Sequence, residues 1–324
     1  MWGIMCVAIA IGGDEGKGEI MNHEDMKTII ESTFRDMIQM SKEPNRVDKW
    51  PKLKWPEYSP LRNSNKNESS HNHDLKRFSE QELKQTFIVQ LKLKNQEVYY
   101  SVETPTLDGY NFSKDCPEIQ HHKDGGQSGN FDLTIYDSNQ IIQHHIEFKS
   151  GNPERKGITK DLLKLCNEPF CYEVREQLCH EVRDRLIDPD EMYKRGCHHY
   201  FIHILDRCEL ATLQSLAFKF LHKTKKQNIN LPDGLKQLKT CINKCLNESK
   251  NHIHVYMLVL DNISNNKRPG VIQEKNAGIA QEKISGYYAF DYADDVDCID
   301  WGACWCEYDG EDFKSKDMKD SVKQ

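Results

Sequence analysis

The sequence predicts an α/β fold in which a mixed central β-sheet is flanked by helices. Two stretches in the first third of the chain repeat apolar residues every three or four positions, as amphipathic helices do. Two segments in which apolar and polar residues alternate then flank a short polar turn. Two compact apolar runs of strand length follow further on. Helical and strand periods that alternate along a chain are typical of helices packed on a sheet.

Two amphipathic helices are predicted ahead of the strands. The first covers residues 22–40. The second begins near Ser79, because Ser79 and Glu82 have the spacing of a capping box in front of an apolar stripe. Between the helices, residues 43–70 contain four prolines and end in a polar run, which predicts a linker or an extended arm.

The middle of the chain is expected to alternate strands, loops and helices. A hairpin is predicted because two alternating segments flank residues 137–140, whose sequence Asp-Ser-Asn-Gln suits a turn. The other elements follow from apolar periodicity and from loop composition. In chain order they are a strand at 98–103, a loop at 109–129, hairpin strands at 131–136 and 141–149, helices at 158–165 and 172–186, and strands at 200–205 and 255–260 with helical patterns between them.

Length and composition predict a soluble globular protein. Its 324 residues are enough to bury a substantial core, and the mean hydropathy is −0.76. No apolar run reaches the roughly 18 residues that suggest a membrane span, so no membrane association is expected. We divide the chain into an N-terminal extension with a helix and a proline-rich linker (1–70), a core (71–265) and a C-terminal segment (266–324).

Charge and cysteine usage narrow the class of protein. The formal net charge of −7 argues against nonspecific coating of nucleic acid by a uniformly positive surface, although it does not exclude a nuclease. The 12 cysteines are scattered, and the apolar stretch 1–13 lacks the basic start of a signal peptide. We therefore expect reduced thiols and a cytoplasmic location.

Chemistry-bearing residues share one face of the predicted hairpin. Asp132 alternates with the apolar residues of the first strand. His145, Glu147 and Lys149 alternate in the same way with those of the second. With residues 138–139 at the turn centre, Asp132 stands opposite His145, and Glu147 is its diagonal neighbour at about 7 to 8 Å. That separation lets two carboxylates share one cation.

Asp132 and Glu147 predict a magnesium site. Mg²⁺ prefers oxygen ligands and keeps several waters, so one or two carboxylates with a substrate phosphate are sufficient, and Mn²⁺ is an alternative ion. Such a metal supplies the Lewis acid and the activated water that phosphodiester hydrolysis needs. Lys149 would position the water or stabilise transition-state charge, and carboxylates that hold it protonated favour the second role.

The strings Asn-Phe-Asp-Leu at 130–133 and Ile-Glu-Phe-Lys at 146–149 resemble the D…ExK signature of the PD-(D/E)XK nucleases, the restriction-endonuclease-like superfamily. Phe131 stands where the nominal proline of the family lies. The resemblance covers residues 79–165, where the predicted order of elements also matches the family core. It implies a restriction-endonuclease-like core with helical insertions.

The resemblance also implies a further ligand, an activity and partners. In that family a glutamate on the preceding helix often completes the metal site, and Glu80 resembles the E-x-x-L start seen in Holliday junction resolvases. Glu82 is the alternative, but a capping box would occupy it. The implied activity is that of a Mg²⁺-dependent DNA endonuclease of restriction, repair or phage defence, acting alone, as a homodimer or with a defence-complex partner.

Other residues are weighed against ordinary surface roles. His145 is a candidate contact for phosphate or metal. Lys160 and Lys164, on the predicted helix after the hairpin, are candidate contacts for phosphate. The remaining paired histidines, at 121–122, 144, and 198–199, are expected to be satisfied at the surface. Because Asp, Glu and Lys are also common on solvent-facing hairpins, the alternative function is a catalytically silent nucleic-acid-binding or scaffold protein that keeps the same core.

Two competing motifs are weaker. The run of residues 12–18 resembles the phosphate loop of adenylosuccinate synthetase, but Ile11 and Gly18 break the Walker pattern. Cys298, Cys304 and Cys306 are candidates for zinc, yet they lack paired C-x-x-C knuckles.

Overall fold

The protein has an α/β fold built on one mixed sheet. The computed structural model describes residues 21–42, 78–111, 118–120, 127–138, 140, 142–167, 198–206, 212, 215–216, 219, 253–264, 282–291 and 304–315. The helices are α1 (His23–Lys42), α2 (Glu80–Lys94) and α3 (Arg155–Asn167). The strands are β1 (Tyr99–Asn111), β2 (Glu118–Gln120), β3 (Gln127–Tyr136), β4 (Ile142–Ser150), β5 (His198–Asp206), β6 (Ile253–Ser264), β7 (Glu282–Asp291), β8 (Trp305–Tyr308) and β9 (Phe313–Ser315).

The strands form a single sheet in the order β2-β1-β3-β4-β5-β6-β7-β8-β9. The central strands β4, β5 and β6 are parallel to one another, and every other neighbouring pair is antiparallel. Parallel strands are normally covered on both faces by helices, and β5 and β6 are accordingly buried along most of their length. No helix within the described ranges is long and apolar enough to cross a membrane.

Helices cover both faces of the sheet. Apolar residues of α1 and α2 pack on one face of β3, β4, β5 and β6 and form the main core with them. In β4, Ile146 and Phe148 belong to that core, so the alternating residue Glu147 points to the opposite face. There it meets Lys164 of α3. The helix α3 therefore lies on the face opposite α1 and α2.

Most predicted elements are confirmed where the structure describes them. The helices at 22–40 and 158–165 correspond to α1 and α3, and the capping box of α2 is formed, with Ser79 N donating to a Glu82 oxygen at 2.9 Å. The hairpin strands and the strands at 200–205 and 255–260 are present as β3 to β6. The linker at 43–70 and the helix at 172–186 lie outside the described residues.

Two parts of the sheet differ from the sequence prediction. The loop expected at 109–129 is partly wrong, since β1 continues to Asn111 and pairs there with β2 and β3. The C-terminal segment, which we separated from the core, supplies β7, β8 and β9 to the same sheet. Its strands extend the antiparallel edge beyond β6.

The hairpin register is two residues away from the predicted one. Thr134 faces His145, whereas a turn centred on 138–139 would have placed it opposite Gln143. A bulge between Ile135 and Tyr136 of β3 absorbs an extra residue of β4, and Gln140 takes a left-handed conformation with φ 60°. A shift by an even number of residues preserves which face each side chain occupies.

Candidate active site

Asp132 lies where the β3–β4 ladder ends. Leu133 pairs with Ile146, and the same register continued by one residue brings Asp132 opposite Glu147. The backbone N–H of Phe148 donates to Asp132 Oδ2 at 2.8 Å. Because a side-chain oxygen accepts in place of a backbone carbonyl, the carboxylate is held against β4.

The alternation of β3 changes at the same point. Leu133 lies in the core beneath α1 and α2, whereas the ring of Phe131 stacks on His145 with centroids 4.1 Å apart. His145 also bonds Thr134 at 3.1 Å and faces away from that core. Phe131 and Leu133 therefore lie on opposite faces, so the regular alternation expected for the apolar residues of this strand is wrong at Phe131. The irregularity lies opposite Glu103 of β1, whose φ is 52°.

Lys84 of α2 brings a second carboxylate beside Asp132. Its Nζ lies 3.4 Å from Asp132 Oδ1 and 3.0 Å from Glu103 Oε1, and its side chain is only 5% exposed. Burial lowers the pKa of Lys84, but the hydrogen bonds that it donates to Glu103 and Asp132, and the charges of those carboxylates, raise the pKa above its usual value. Glu103 sits in a left-handed conformation with φ 52°, which is uncommon for a side-chain-bearing residue inside a strand.

A second chain of charges runs from Glu147 to Glu80 through alternating lysines. Lys164 bonds Glu147 directly and lies 3.2 Å from Asp161 Oδ1. The other Asp161 oxygen lies 2.7 Å from Lys149 Nζ, and Glu80 Oε1 lies 3.8 Å from the same nitrogen. Asp161 thus joins the two lysines and connects β4, α3 and the N-terminus of α2 in one network.

The electrostatics of Glu147 show how strongly acids are concentrated here. Burial raises the pKa of Glu147 well above its usual value, and Asp161 and Asp132 raise it further while Lys164 opposes them. The pKa of Glu80 is also raised, first by burial and then by Asp132 and Asp161 against the lowering effect of Lys149. A cation placed among these acids would favour their ionised forms.

Lys149 is held in its protonated state. Burial lowers its pKa, but Asp161, Glu80 and Glu147 outweigh that effect and raise the pKa above its usual range. A lysine in this state cannot remove a proton from water. It can hydrogen-bond a phosphate oxygen and stabilise negative charge there.

The three candidate ligands of the site are carboxylates that each have a lysine partner. Asp132, Glu147 and Glu80 offer only carboxylate oxygens, which are the ligands that Mg²⁺ prefers. In the portion of the chain that the structure describes, no three acidic, histidine or cysteine side chains are grouped so as to hold a metal by themselves. Lys164 and Lys84 instead pair with Glu147 and Asp132, so an incoming cation would share these carboxylates with the lysines.

The predicted substrate contacts have different positions. Lys160 is half-buried on α3. Lys164 is buried and pairs with acids of the site, so it is not open to phosphate. His145 is also buried, and burial lowers its pKa to about 3. The expectation of surface positions is wrong for His144 and His199, which are both fully buried in the central strands because β4 and β5 are covered on both faces.

Sequence analysis did not identify three members of the network, which are Asp161, Lys84 and Glu103. Asp161 and Lys164 have the i,i+3 spacing of neighbours on one helix face, and that spacing after the hairpin was an available signal. Lys84 and Glu103 carry no comparable signal, since isolated charged residues are usually solvated. Of the zinc candidates, Cys304 and Cys306 form no disulfide within the described residues, and Cys298 lies outside them.

Comparison of the chain with family models, with curated proteins and with solved structures finds no match in any of the three.

Proposed function

We propose that this protein is a Mg²⁺-dependent phosphodiester hydrolase with a restriction-endonuclease-like core, and that it acts as a DNA endonuclease. The observation that carries the proposal is the convergence of Asp132, Glu147 and Lys149 at the end of one ladder. Asp132 bonds the backbone beside Glu147, and Lys149 is held by Asp161 and Glu80. Two adjoining carboxylates next to a fixed ammonium form the minimum equipment for metal-assisted phosphate chemistry.

The order of elements around these residues supports the proposal. The chain runs α2, β1, the β3–β4 hairpin with the acids, α3 and β5. β1, β3 and β4 are successive antiparallel neighbours, and β5 lies parallel to β4. The order of helix, strand, acid-bearing hairpin and helix is the one that the resemblance implies for a restriction-endonuclease-like core.

The residues divide the chemical work between them. Asp132, Glu147 and Glu80 are the residues that would hold Mg²⁺, which when bound supplies a Lewis acid and lowers the pKa of a water ligand. Lys149 donates a hydrogen bond to a phosphate oxygen and stabilises the charge that develops there. Asp161 orients Lys149 and keeps it charged, and the Phe148 N–H fixes one oxygen of Asp132.

The test is cleavage of supercoiled plasmid, single-stranded DNA and RNA by the purified protein in Mg²⁺, in Mn²⁺ and in EDTA. We expect metal-dependent cleavage of DNA by the wild type. Asp132→Asn keeps an acceptor for Phe148 but removes the charge, and Lys149→Met removes the ammonium. Each should lower the rate at least about 100-fold, in line with the loss of one electrostatic group from an active site.

A matched control is Glu154→Gln, which changes an exposed carboxylate next to α3 and should cleave like the wild type. Equal cleavage by wild type, Asp132→Asn and Lys149→Met would refute the site. Retained DNA binding without cleavage in either metal would favour the alternative, a silent nucleic-acid-binding or scaffold protein. Cleavage of RNA alone would move the substrate class from DNA to RNA.

A further inference from the structure

One side of β1 has no neighbouring strand between Tyr99 and Thr104. β3 pairs with the other side along this stretch, whereas β2 pairs with β1 only from Gly109 to Asn111. Among the described residues, no further strand is added to β1. An edge of this kind presents backbone N–H and C=O groups that another chain can bind.

The side chains at this edge are apolar and exposed. Tyr99 is 52% exposed, Tyr100 38% and Val102 51%. They account for three of the four large apolar side chains that are exposed in the described part of the chain. Tyr100 and Val102 stand opposite Ile135 and Leu133, so they continue the apolar face of the main core to the edge of the sheet. A strand that is both open and apolar favours pairing with another strand.

The contact between β3 and β4 fixes which backbone groups of β1 point outward. The Phe148 N–H donates toward β3, so the backbone groups of Ile146, two residues earlier, face β3 as well. Leu133 stands opposite Ile146 and faces it with its own N–H and C=O groups. Because the direction alternates along a strand, the backbone groups of Thr134 face β1, where they meet Ser101.

The same alternation continues along β1. The backbone groups of Ser101 face β3, so those of Tyr100 and Val102 point to the open side. The Val98 carbonyl, just before β1, follows this pattern, because it accepts a bond from Lys92 Nζ at 3.3 Å instead of pairing with a strand. Two residues whose N–H and C=O groups both point outward therefore flank Ser101.

The open stretch ends at similar distances on either side of Ser101. On one side, the Val98 carbonyl is already bonded to Lys92. On the other side, Glu103 has a left-handed φ of 52°, which departs from strand geometry, and Pro105 has no N–H to donate. A strand that pairs here is therefore centred on Ser101.

We infer that two copies of this chain associate through β1, which pairs antiparallel with Ser101 of each copy at a twofold axis, so that one sheet continues through both copies. Tyr100 of each copy then stands opposite Val102 of the other, and each such pair exchanges both of its backbone hydrogen bonds. An aromatic ring opposite a β-branched side chain stabilises the pairing. The inference goes beyond the proposed function and does not depend on it.

A second copy suits this edge because the contact is self-complementary, as a twofold interface requires. Glu103 stands opposite Tyr99 of the other copy, and its carboxylate is already bonded to Lys84 at 3.0 Å. No like charges therefore face each other across the axis. Because so short an edge is smaller than the about 20 to 30 residues per partner of a stable complex, the dimer should form and dissociate reversibly at micromolar concentrations.

Sedimentation equilibrium of the full chain under reducing conditions, from low to high micromolar concentrations, tests the association. The double variant Tyr100→Lys with Val102→Lys places like charges opposite each other and should weaken the dimer at least about 10-fold. Tyr100→Glu with Val102→Lys places opposite charges at the same pairs, and should associate at least about 10-fold more tightly than the double-lysine variant.

The matched control is Glu311→Lys, which makes the same change in net charge at an exposed position between β8 and β9. It should dimerise like the wild type. A wild type that stays monomeric at every concentration would overturn the inference and leave the edge to a different partner. A dimer that the double-lysine variant leaves intact would also overturn it. Loss of the dimer without recovery in the glutamate and lysine variant would overturn the pairing centred on Ser101.

Amide hydrogen exchange, followed by NMR at low and high protein concentration, locates the contact in the wild type. The Ser101 amide faces β3 and should exchange slowly at both concentrations. The Tyr100 and Val102 amides should exchange at least about 10-fold more slowly in the concentrated sample, where the dimer forms. Slow exchange of both amides in dilute solution would show that another segment of the same chain covers the edge, and would overturn the inference.

Folding of the variants is checked by circular dichroism melting. The substituted side chains are exposed, so both double variants should keep the fold of the wild type. If either does not fold, the wild-type exchange experiment decides, because it needs no substitution.

Discussion

His203 should make the free energy of unfolding depend on pH, and a substitution of His203 should remove that contribution. The residue lies in β5 beside Lys149 and is fully buried. Its Nε2 lies 2.7 Å from the carbonyl oxygen of Gly151, so Nε2 carries the hydrogen. The other nitrogen, Nδ1, is buried and meets no acceptor among the described residues. A second proton would therefore be placed on a nitrogen without a partner.

The size of the effect follows from the pKa of His203. Burial is the main cause that lowers this pKa from an ordinary value of 6.5 to about 4; Lys149 and Lys219 add to the lowering, and the bond to Gly151 opposes it. Below pH 6.5 the unfolded chain binds a proton that the folded chain does not accept until about pH 4. The free energy of unfolding therefore falls as the pH falls through this window, and His203 accounts for about 2 kcal/mol of the loss at about pH 5.

The assay is urea unfolding followed by tryptophan fluorescence at about pH 7.5 and pH 5, with linear extrapolation to water. His203→Gln keeps a donor for Gly151 but cannot titrate, so the difference between the two pH values should shrink by about 2 kcal/mol. The control is Phe201→Leu, a buried substitution two residues away, which should lower stability equally at both pH values. A His203→Gln variant with the wild-type pH difference would refute the argument.

Three further predictions concern the site and the core. Asp161→Asn should slow DNA cleavage about 10- to 100-fold, because Lys149 loses its nearest carboxylate. Gly129→Ala should lower the free energy of unfolding by at least about 1 kcal/mol, since its Cβ collides with Lys164. Burial raises the pKa of Asp36 to about 7, so Asp36→Asn should raise the free energy of unfolding by about 4 kcal/mol more at about pH 8 than near pH 4.

The hairpin could be predicted because its signals are local. Alternating apolar residues and a polar turn lie within twenty residues of sequence, and they place Glu147 and Lys149 on one face. The register could not be predicted, because the bulge opposite Ile135 and Tyr136 depends on how β4 fits between its neighbours. The different faces of Phe131 and Leu133 could not be predicted either, because the irregular residue Glu103, with φ 52°, lies in the neighbouring strand β1.

The ion network was harder to predict, because the partners of each buried charge lie on other helices and strands that only the tertiary fold brings next to it. Lys84 lies beside an apolar stripe of α2, where a lysine is normally solvated. Its partners Glu103 and Asp132 come from β1 and β3, which only the tertiary fold places next to it. Glu80 could be proposed only from the family resemblance, and its Oε1 lies 3.8 Å from Lys149 Nζ.

The C-terminal strands lack a clear sequence signal for a similar reason. Gly286 lies in the middle of β7, and glycine weakens the local preference for a strand. The structure gives the reason for it, since a Cβ at this position would lie 2.4 Å from the Cys306 carbonyl and 2.5 Å from the Trp305 ring. The glycine admits β8 beside β7, and that need is visible only once the two strands are paired.

The bond from the Phe148 amide to Asp132 turns one backbone position into a spectroscopic reporter. Any ion that withdraws electron density from the carboxylate alters the shielding of the amide proton bonded to it. In a nitrogen-15-labelled sample, the Phe148 resonance should therefore follow the filling of the site during a Mg²⁺ titration. Met257, buried in the middle of β6, supplies an internal reference. The binding of Mg²⁺ at Asp132 can then be measured without substrate and without turnover.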